Sequence, residues 1–214
     1  MSDPVETFAE LDRIRGVKAV FIDRIPGVNV ATDRETALAL LTPYHDEILA
    51  RQGFAPLSTA EQVHGNVIAV ADPSSPAVGA DGLITATPGV ALGIYVADCA
   101  AVFLADQGGR AIGLVHSGRK GTELGIVPAA IRELQRRFAV DPGNLCAVIA
   151  PCIRPPHYEV DFAAEIRRQL EEGGVLKIVD SGACTASDPE RYYSYRRERG
   201  QTGRMLAAMQ LLLV

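Results

Sequence analysis

Between Val67 and Val115 the chain is cut into short apolar runs, each closed by turn chemistry, and this pattern constrains the fold more than any other feature. The runs are Val67 to Ala71, Gly82 to Thr85, Val90 to Val96, Ala101 to Ala105 and Ala111 to Val115. Each is strand length rather than helix length. Asp72-Pro73-Ser74-Ser75-Pro76, Pro88-Gly89 and Asp106-Gln107-Gly108-Gly109 separate them, with the residues that favour turns. The last separator joins two apolar runs closely and predicts a hairpin. Because the runs are nearly continuous in apolar character, the sheets they form are expected to be covered on both faces.

The flanking segments add helices. Val17 to Ile22 reads as a strand, rich in β-branched and aromatic residues. Thr36 to Gln52 has helical character, with Pro43 expected to break or restart it. Val127, Ile131, Leu134 and Phe138 recur at the spacing of one buried helical stripe, with Arg132, Glu133, Gln135 and Arg136 on the outer face. Leu145 to Ala150 and Val175 to Val179 read as further buried strands. Phe162, Ile166 and Leu170 mark a helix ended by Gly173-Gly174, and Arg204 to Leu213 reads as a final docked helix. Strands and helices do not alternate regularly. The expectation is therefore an α+β chain, residues 1–214 forming a single domain with mixed sheets and flanking helices.

Composition bounds the function. The chain has 214 residues, 48% of them hydrophobic and 22% charged, enough apolar surface to offset the entropy of ordering. A formal net charge of −5 argues against a general nucleic-acid binder, which needs a basic excess. No apolar run approaches the roughly 18 residues of a membrane helix. The opening MSDPVETFAELDRIRG lacks a basic-then-apolar export pattern, so a cytoplasmic protein is expected. Cys99, Cys146, Cys152 and Cys184 show no disulfide-framework spacing and are expected to be reduced thiols, Cys146 as core packing.

Three segments place metal-type donors at strand edges: Glu61-Gln62-Val63-His64-Gly65, Ala97-Asp98-Cys99-Ala100 and Val115-His116-Ser117-Gly118. Two imidazoles and a thiolate suit zinc, and a catalytic site leaves the fourth position open. The predicted hairpin can bring Cys99 and His116 to one sheet end. His64 must arrive from farther away. On spacing alone a metal site is one reading and ordinary packing the other. His45, in a helical stretch, and His157, after Arg154-Pro155-Pro156, carry no such pattern.

An ordered set of short motifs runs from Gln62 to the C-terminus. Gln62-Val63-His64-Gly65, Ala80-Asp81-Gly82-Leu83-Ile84-Thr85, Ala97-Asp98-Cys99 and Ala150-Pro151-Cys152-Ile153 come first. Tyr158-Glu159-Val160, Cys184-Thr185, Ser194-Tyr195-Arg196-Arg197 and Thr202-Gly203-Arg204 follow. The set resembles the YfiH-like family of purine nucleoside phosphorylases, long labelled multicopper polyphenol oxidases or laccase-domain proteins. The resemblance implies an α+β fold similar to the catalytic domain of cytotoxic necrotizing factor toxins. It implies a zinc site of His64, Cys99 and His116, and activity on adenosine, inosine, guanosine and methylthioadenosine by phosphorolysis, with adenosine deamination beside it. Asp98 is then the nearest proton-transfer candidate, next to Cys99 and His116. Gln62, Arg119, Lys120, Arg196 and Arg204 are candidates for binding nucleoside and phosphate. The stretch Gly118 to Gly121, leading into a helix, is a further candidate for the anion. No nucleic-acid or membrane partner is implied, and the expected assembly is a monomer or homodimer.

The chain departs from the family pattern in two places. His116-Ser117-Gly118-Arg119-Lys120-Gly121 stands where the family has His-Ala-Gly-Trp-Arg-Gly, and the chain has no tryptophan. An indole face is lost, and Lys120 keeps charge without a guanidinium's planar fork. The first 60 or so residues are also shortened, with Pro26 to Asp33 as the remnant of a longer family segment. These departures keep other readings open. One is a metal-free hydrolase or amidase with Cys99 as nucleophile and His116 as base. Another is a relative that binds zinc or nucleoside without turnover. Copper-dependent phenol oxidation is weaker, since one Cys and two His can hold a single copper but not a multicopper cluster.

Overall fold

A computed structural model describes residues 4–72 and 76–213. The elements in chain order are β1 (Val5–Glu6), α1 (Ala9–Asp12), β2 (Val17–Ile22), α2 (Arg34–Arg51), β3 (Leu57–Thr59), β4 (Ile68–Val70), β5 (Gly82–Thr85) and β6 (Ala91–Val96). They continue with β7 (Ala100–Asp106), β8 (Ile112–Ser117), α3 (Arg119–Glu123), α4 (Ile126–Phe138), β9 (Leu145–Ile149), α5 (Phe162–Glu172), β10 (Lys177–Asp180) and β11 (Met205–Leu211). Residues 73–75 of the predicted turn after Asp72 lie outside the described residues.

The strands form two mixed sheets, ordered β1-β2-β11-β6-β3 and β10-β9-β7-β8-β5-β4. In each, most neighbours are antiparallel, while β3 runs parallel to β6, β4 to β5 and β10 to β9. The architecture is the expected mixed α+β. Alternation along β7 shows how its layers pack. Ala101, Phe103 and Ala105 join a core with Phe21, Leu92 and Ile94 of the first sheet. Ala100, Val102 and Leu104 point the other way, into a cluster with Ile131 and Leu134 of α4 and Ile166 and Leu170 of α5. The central sheet is thus covered on both faces.

The hairpin at Asp106 to Gly109 is present, with β7 and β8 antiparallel and Ala101 opposite His116. Gly109 there has φ +67°, and a Cβ on it would meet the Arg15 carbonyl oxygen at 2.2 Å. Only glycine fits that close approach.

Two sequence expectations are corrected. Arg204 to Leu213 is not a docked helix: Met205–Leu211 is a buried strand between β2 and β6. The run Met-Leu-Ala-Ala-Met-Gln-Leu favours helix locally. The two ladders supplied by distant strands override that preference. Pro43 does not break α2, which runs unbroken from Arg34 to Arg51. Asp33 caps it by accepting from Thr36 N at 3.0 Å. Buried Ala37, Leu41, His45 and Ile48 keep one stripe on the core through the proline, so packing outweighs the single lost backbone bond. Among the described residues no helix is long and apolar enough to cross a membrane.

Candidate active site

β6 belongs to the first sheet and β7 to the second, so Ala97-Asp98-Cys99 is the point where the chain crosses between them. Cys99 precedes the first residue of β7, and Ala100 there pairs with Ser117 of β8. His116 therefore arrives beside Cys99 at the same sheet end. His64 comes from the loop after β3, where Gln62 and His64 both hold left-handed backbone at φ 64° and 61°. Asp98 does the same at φ 84°. Non-glycine residues rarely sit there, and such strain gathers at functional sites.

Asp81, at the start of β5 and fully buried, holds this arrangement together. Its carboxylate accepts from the backbone N–H groups of Val63 at 3.2 Å, His64 at 2.8 Å and Gly65 at 2.7 Å. The same carboxylate lies 2.8 Å from His116 Nδ1. One buried acid thus fixes the His64 loop and orients the His116 ring, leaving Nε2 to turn toward Cys99. Burial works to raise the Asp81 carboxyl, but the His116 bond and the Gly65 and His64 N–H groups outweigh it and hold it low. On the other side of the loop, Gln62 Nε2 donates to Tyr95 O at 2.6 Å and its Oε1 accepts from Tyr95 N at 2.9 Å. The carboxamide ties the loop to β6 as a short ladder would.

The outcome is a compact donor cluster. Ligand atoms of His64, Cys99 and His116 all lie within 4.8 Å of one another. The two imidazole rings stand edge to face, 4.9 Å apart and at 78°. Gly118 closes the back of the cluster, where a Cβ would meet Cys99 Sγ at 2.4 Å. Burial works to raise the Cys99 thiol, yet hydrogen bonds and charge from His116 and His64 bring it down to about 6. Burial works to lower His116, but its bonds to Asp81 and Cys99 raise it to about 9. Both shifts run in the direction that favours a thiolate on Cys99, the form that binds a metal or attacks a carbon. Two imidazoles and one thiolate, with one side open to a cavity, fit a three-ligand zinc site. Among the described residues no other group of three such donors is assembled.

The cluster opens on a cavity of about 1000 Å³. All the residues expected to act there line it: Gln62, Asp98, Arg119, Lys120, Arg196 and Arg204. Their engagements differ. Asp98 accepts from Thr185 Oγ1 at 2.7 Å and from Arg196 N at 2.7 Å. Arg119 pairs with Glu123 at 2.9 Å, and the Arg196 side chain pairs with Glu159 and lies over the Tyr158 ring. Tyr158, Phe162 and Tyr195 also line the cavity, so aromatic surface is present although the family's tryptophan is not. Gly118 is the residue preceding the five-residue α3, and its carbonyl accepts from Thr122 N and Thr122 Oγ1.

Sequence reasoning missed two residues. Asp81 stands in the motif Ala80-Asp81-Gly82-Leu83-Ile84-Thr85, and an acid heading an apolar strand is a signal of buried structural work. Arg34, at the start of α2, lines the cavity only because the fold brings that helix there.

A family model described as multi-copper polyphenol oxidoreductase laccase matches residues 27–165 and 160–212. The chain is 34% identical over 193 residues to a purine nucleoside phosphorylase of Deinococcus radiodurans, covering 77% of this chain and 74% of that one. It is 29% identical over 233 residues to a purine nucleoside phosphorylase of Streptomyces coelicolor, covering 91% and 95%. The crystal structure of YlmD from Geobacillus stearothermophilus shares the fold, with a TM-score of 0.82 at 24% identity over 99% of this chain and 100% of that one. With matches across nearly its whole length, the chain belongs to the multi-copper polyphenol oxidoreductase laccase family, in the YlmD- and YfiH-like group.

Proposed function

We propose that this protein is a cytoplasmic, zinc-dependent purine nucleoside phosphorylase that also deaminates adenosine, with His64, Cys99 and His116 as the metal ligands. The observation that carries the reading is the cluster of three donors within 4.8 Å, open to a cavity lined by cations and aromatic rings. The names of the relatives in Deinococcus and Streptomyces support the substrate class. Zinc held there supplies Lewis-acid chemistry. Copper oxidation is not favoured, because a multicopper centre needs more donors than this single cluster offers.

The chain's own groups divide the remaining work. In phosphorolysis a phosphate oxygen bonds to the ribose C1′ as the bond from C1′ to the purine nitrogen breaks, giving free base and ribose 1-phosphate. Cationic side chains in the cavity hold the anion, and Lys120, exposed and without a carboxylate partner among the described residues, is one of them. Tyr158, Phe162 and Tyr195 offer faces for the purine. In deamination, water adds at the amine-bearing carbon and ammonia leaves. One proton must leave the water and another reach the departing amine. Asp98 is the residue proposed for that transfer, its carboxylate steered by Thr185 and the Arg196 N–H.

The low pKa of Cys99 also favours a second reading, a metal-free hydrolase in which the thiolate attacks and His116 supplies the proton. One experiment separates the two. Purified untagged protein is analysed for metal and assayed on adenosine and inosine, with and without phosphate. Near-equimolar zinc, with phosphate-dependent release of hypoxanthine from inosine, upholds phosphorolysis. Inosine formed from adenosine upholds deamination. Protein that takes up no zinc when it is offered, and loses a hydrolytic activity on Cys99 alkylation, supports the second reading.

A further inference from the structure

We propose that Arg34 and Arg204 together form the seat for a phosphoryl oxyanion in the cavity beside the His64, Cys99 and His116 cluster. The inference rests on the phosphorolysis reading for the source of the anion, and it names the side chains that take it.

The cavity wall carries Arg34, Arg119, Lys120, Arg196, Arg199 and Arg204, against Asp98 and Glu123. The charges are not equally available. Arg119 is paired with Glu123 and reaches Glu159 at 3.8 Å, and Arg196 is paired with Glu159. The Arg119 and Arg196 guanidiniums are therefore already engaged by the chain's own acids. Lys120 and Arg199 are exposed, and among the described residues no side-chain hydrogen bond holds either in place, whereas the Arg34 guanidinium, exposed as well, is tied to Glu61 O.

Arg204 differs from all of these. It is 8% exposed, and among the described residues no carboxylate lies within 4 Å of its guanidinium. Its Nη1 donates to the carbonyls of Thr202 and Gly203, both at 2.8 Å. Those carbonyls fix its direction without cancelling its charge. Burying a guanidinium without a directly paired carboxylate is expensive, and a ligand anion can supply the missing partner. Arg34 adds to the expense. It lines the same cavity, its Nη2 donates to Glu61 O at 3.2 Å, and among the described residues it too has no carboxylate partner. Burial and then the nearby Arg34 charge push the Arg204 guanidinium down, outweighing the opposite pull of Cys99, Tyr195 and Asp98. Two guanidiniums that destabilise each other in the free protein are relieved together by one phosphate, whose oxygens accept from both forks.

The test measures inosine phosphorolysis against phosphate concentration at constant ionic strength, in the wild type, Arg34→Gln and Arg132→Gln. Arg132 is an exposed arginine on α4, outside the cavity lining, and controls for loss of one positive charge. Arg34 is exposed, so its substitution leaves the core intact. Arg34→Gln is expected to raise the KM for phosphate about tenfold or more, the loss of one charge-assisted contact, with the KM for inosine changed less than about twofold. An unchanged phosphate KM in Arg34→Gln overturns the seat. If the wild type consumes no inosine, phosphorolysis fails and calorimetry decides the seat separately. Orthophosphate binding that Arg34→Gln abolishes upholds it. Binding of adenosine 5′-monophosphate alone, also lost in Arg34→Gln, upholds the seat with a nucleotide as the source. Binding of neither by the wild type overturns it.

Discussion

Asp81 and His116 are joined twice: the His116 backbone N–H donates to the Asp81 carbonyl at 2.7 Å, and His116 Nδ1 meets the Asp81 carboxylate at 2.8 Å. The strand ladder sets where the ring stands, and the carboxylate sets which nitrogen faces the cluster. Because the same carboxylate also takes three N–H groups around His64, two of the three donors depend on one buried acid.

Asp81→Asn keeps the size of the side chain but removes its charge and one acceptor. It is expected to weaken zinc binding about 10- to 100-fold, the range found when an outer partner of a ligating histidine is lost. Competition against a chromophoric chelator measures this. Wild-type affinity in a folded Asp81→Asn protein would show that the carboxylate does not position the ligands.

Gly118→Ala tests the back wall of the cluster. The added Cβ would fall 2.4 Å from Cys99 Sγ, so the thiol must move or the loop must shift. Metal content is expected to fall well below one ion per chain, while the circular dichroism spectrum stays that of the wild type. Full zinc occupancy in Gly118→Ala would mean that Cys99 tolerates the displacement and is not a tightly held ligand.

How much of this was legible in the sequence depended on the range of the interaction. The β7–β8 hairpin was readable because Asp106 to Gly109 is local turn chemistry, and with it came the meeting of Cys99 and His116. The arrival of His64 was not readable from spacing, since it is secured by Asp81 from a separate loop. The strand character of Met205–Leu211 depends on partners more than a hundred residues away, in β6 and β2, while its own residues favour helix. Pro43 misled for the same reason in reverse: a local breaker was overruled by a buried stripe. Family motifs marked the ligands and Arg204, whereas Arg34 became visible only when the start of α2 was placed at the cavity.

His45 gives the acid limb of stability a definite cause. It is 1% exposed on α2, its ring packs 5.9 Å from that of Tyr95, and among the described residues neither ring nitrogen has a hydrogen-bond partner. Burial lowers its pKa from 6.5 to about 4. As pH falls below about 6.5, the unfolded chain therefore takes up a proton that the folded protein refuses. Stability is lost between about 6.5 and about 4 and then levels off. The full loss corresponds to about 3 kcal/mol, of which about 2 kcal/mol has gone by pH 5. His45→Leu removes both the orphaned nitrogens and the titration. It is expected to match or exceed the wild type at pH 7 and to lose less stability than the wild type on moving to pH 5, by about 2 kcal/mol. Urea unfolding midpoints at the two pH values measure the difference. Equal losses in both proteins would assign the acid limb to another group.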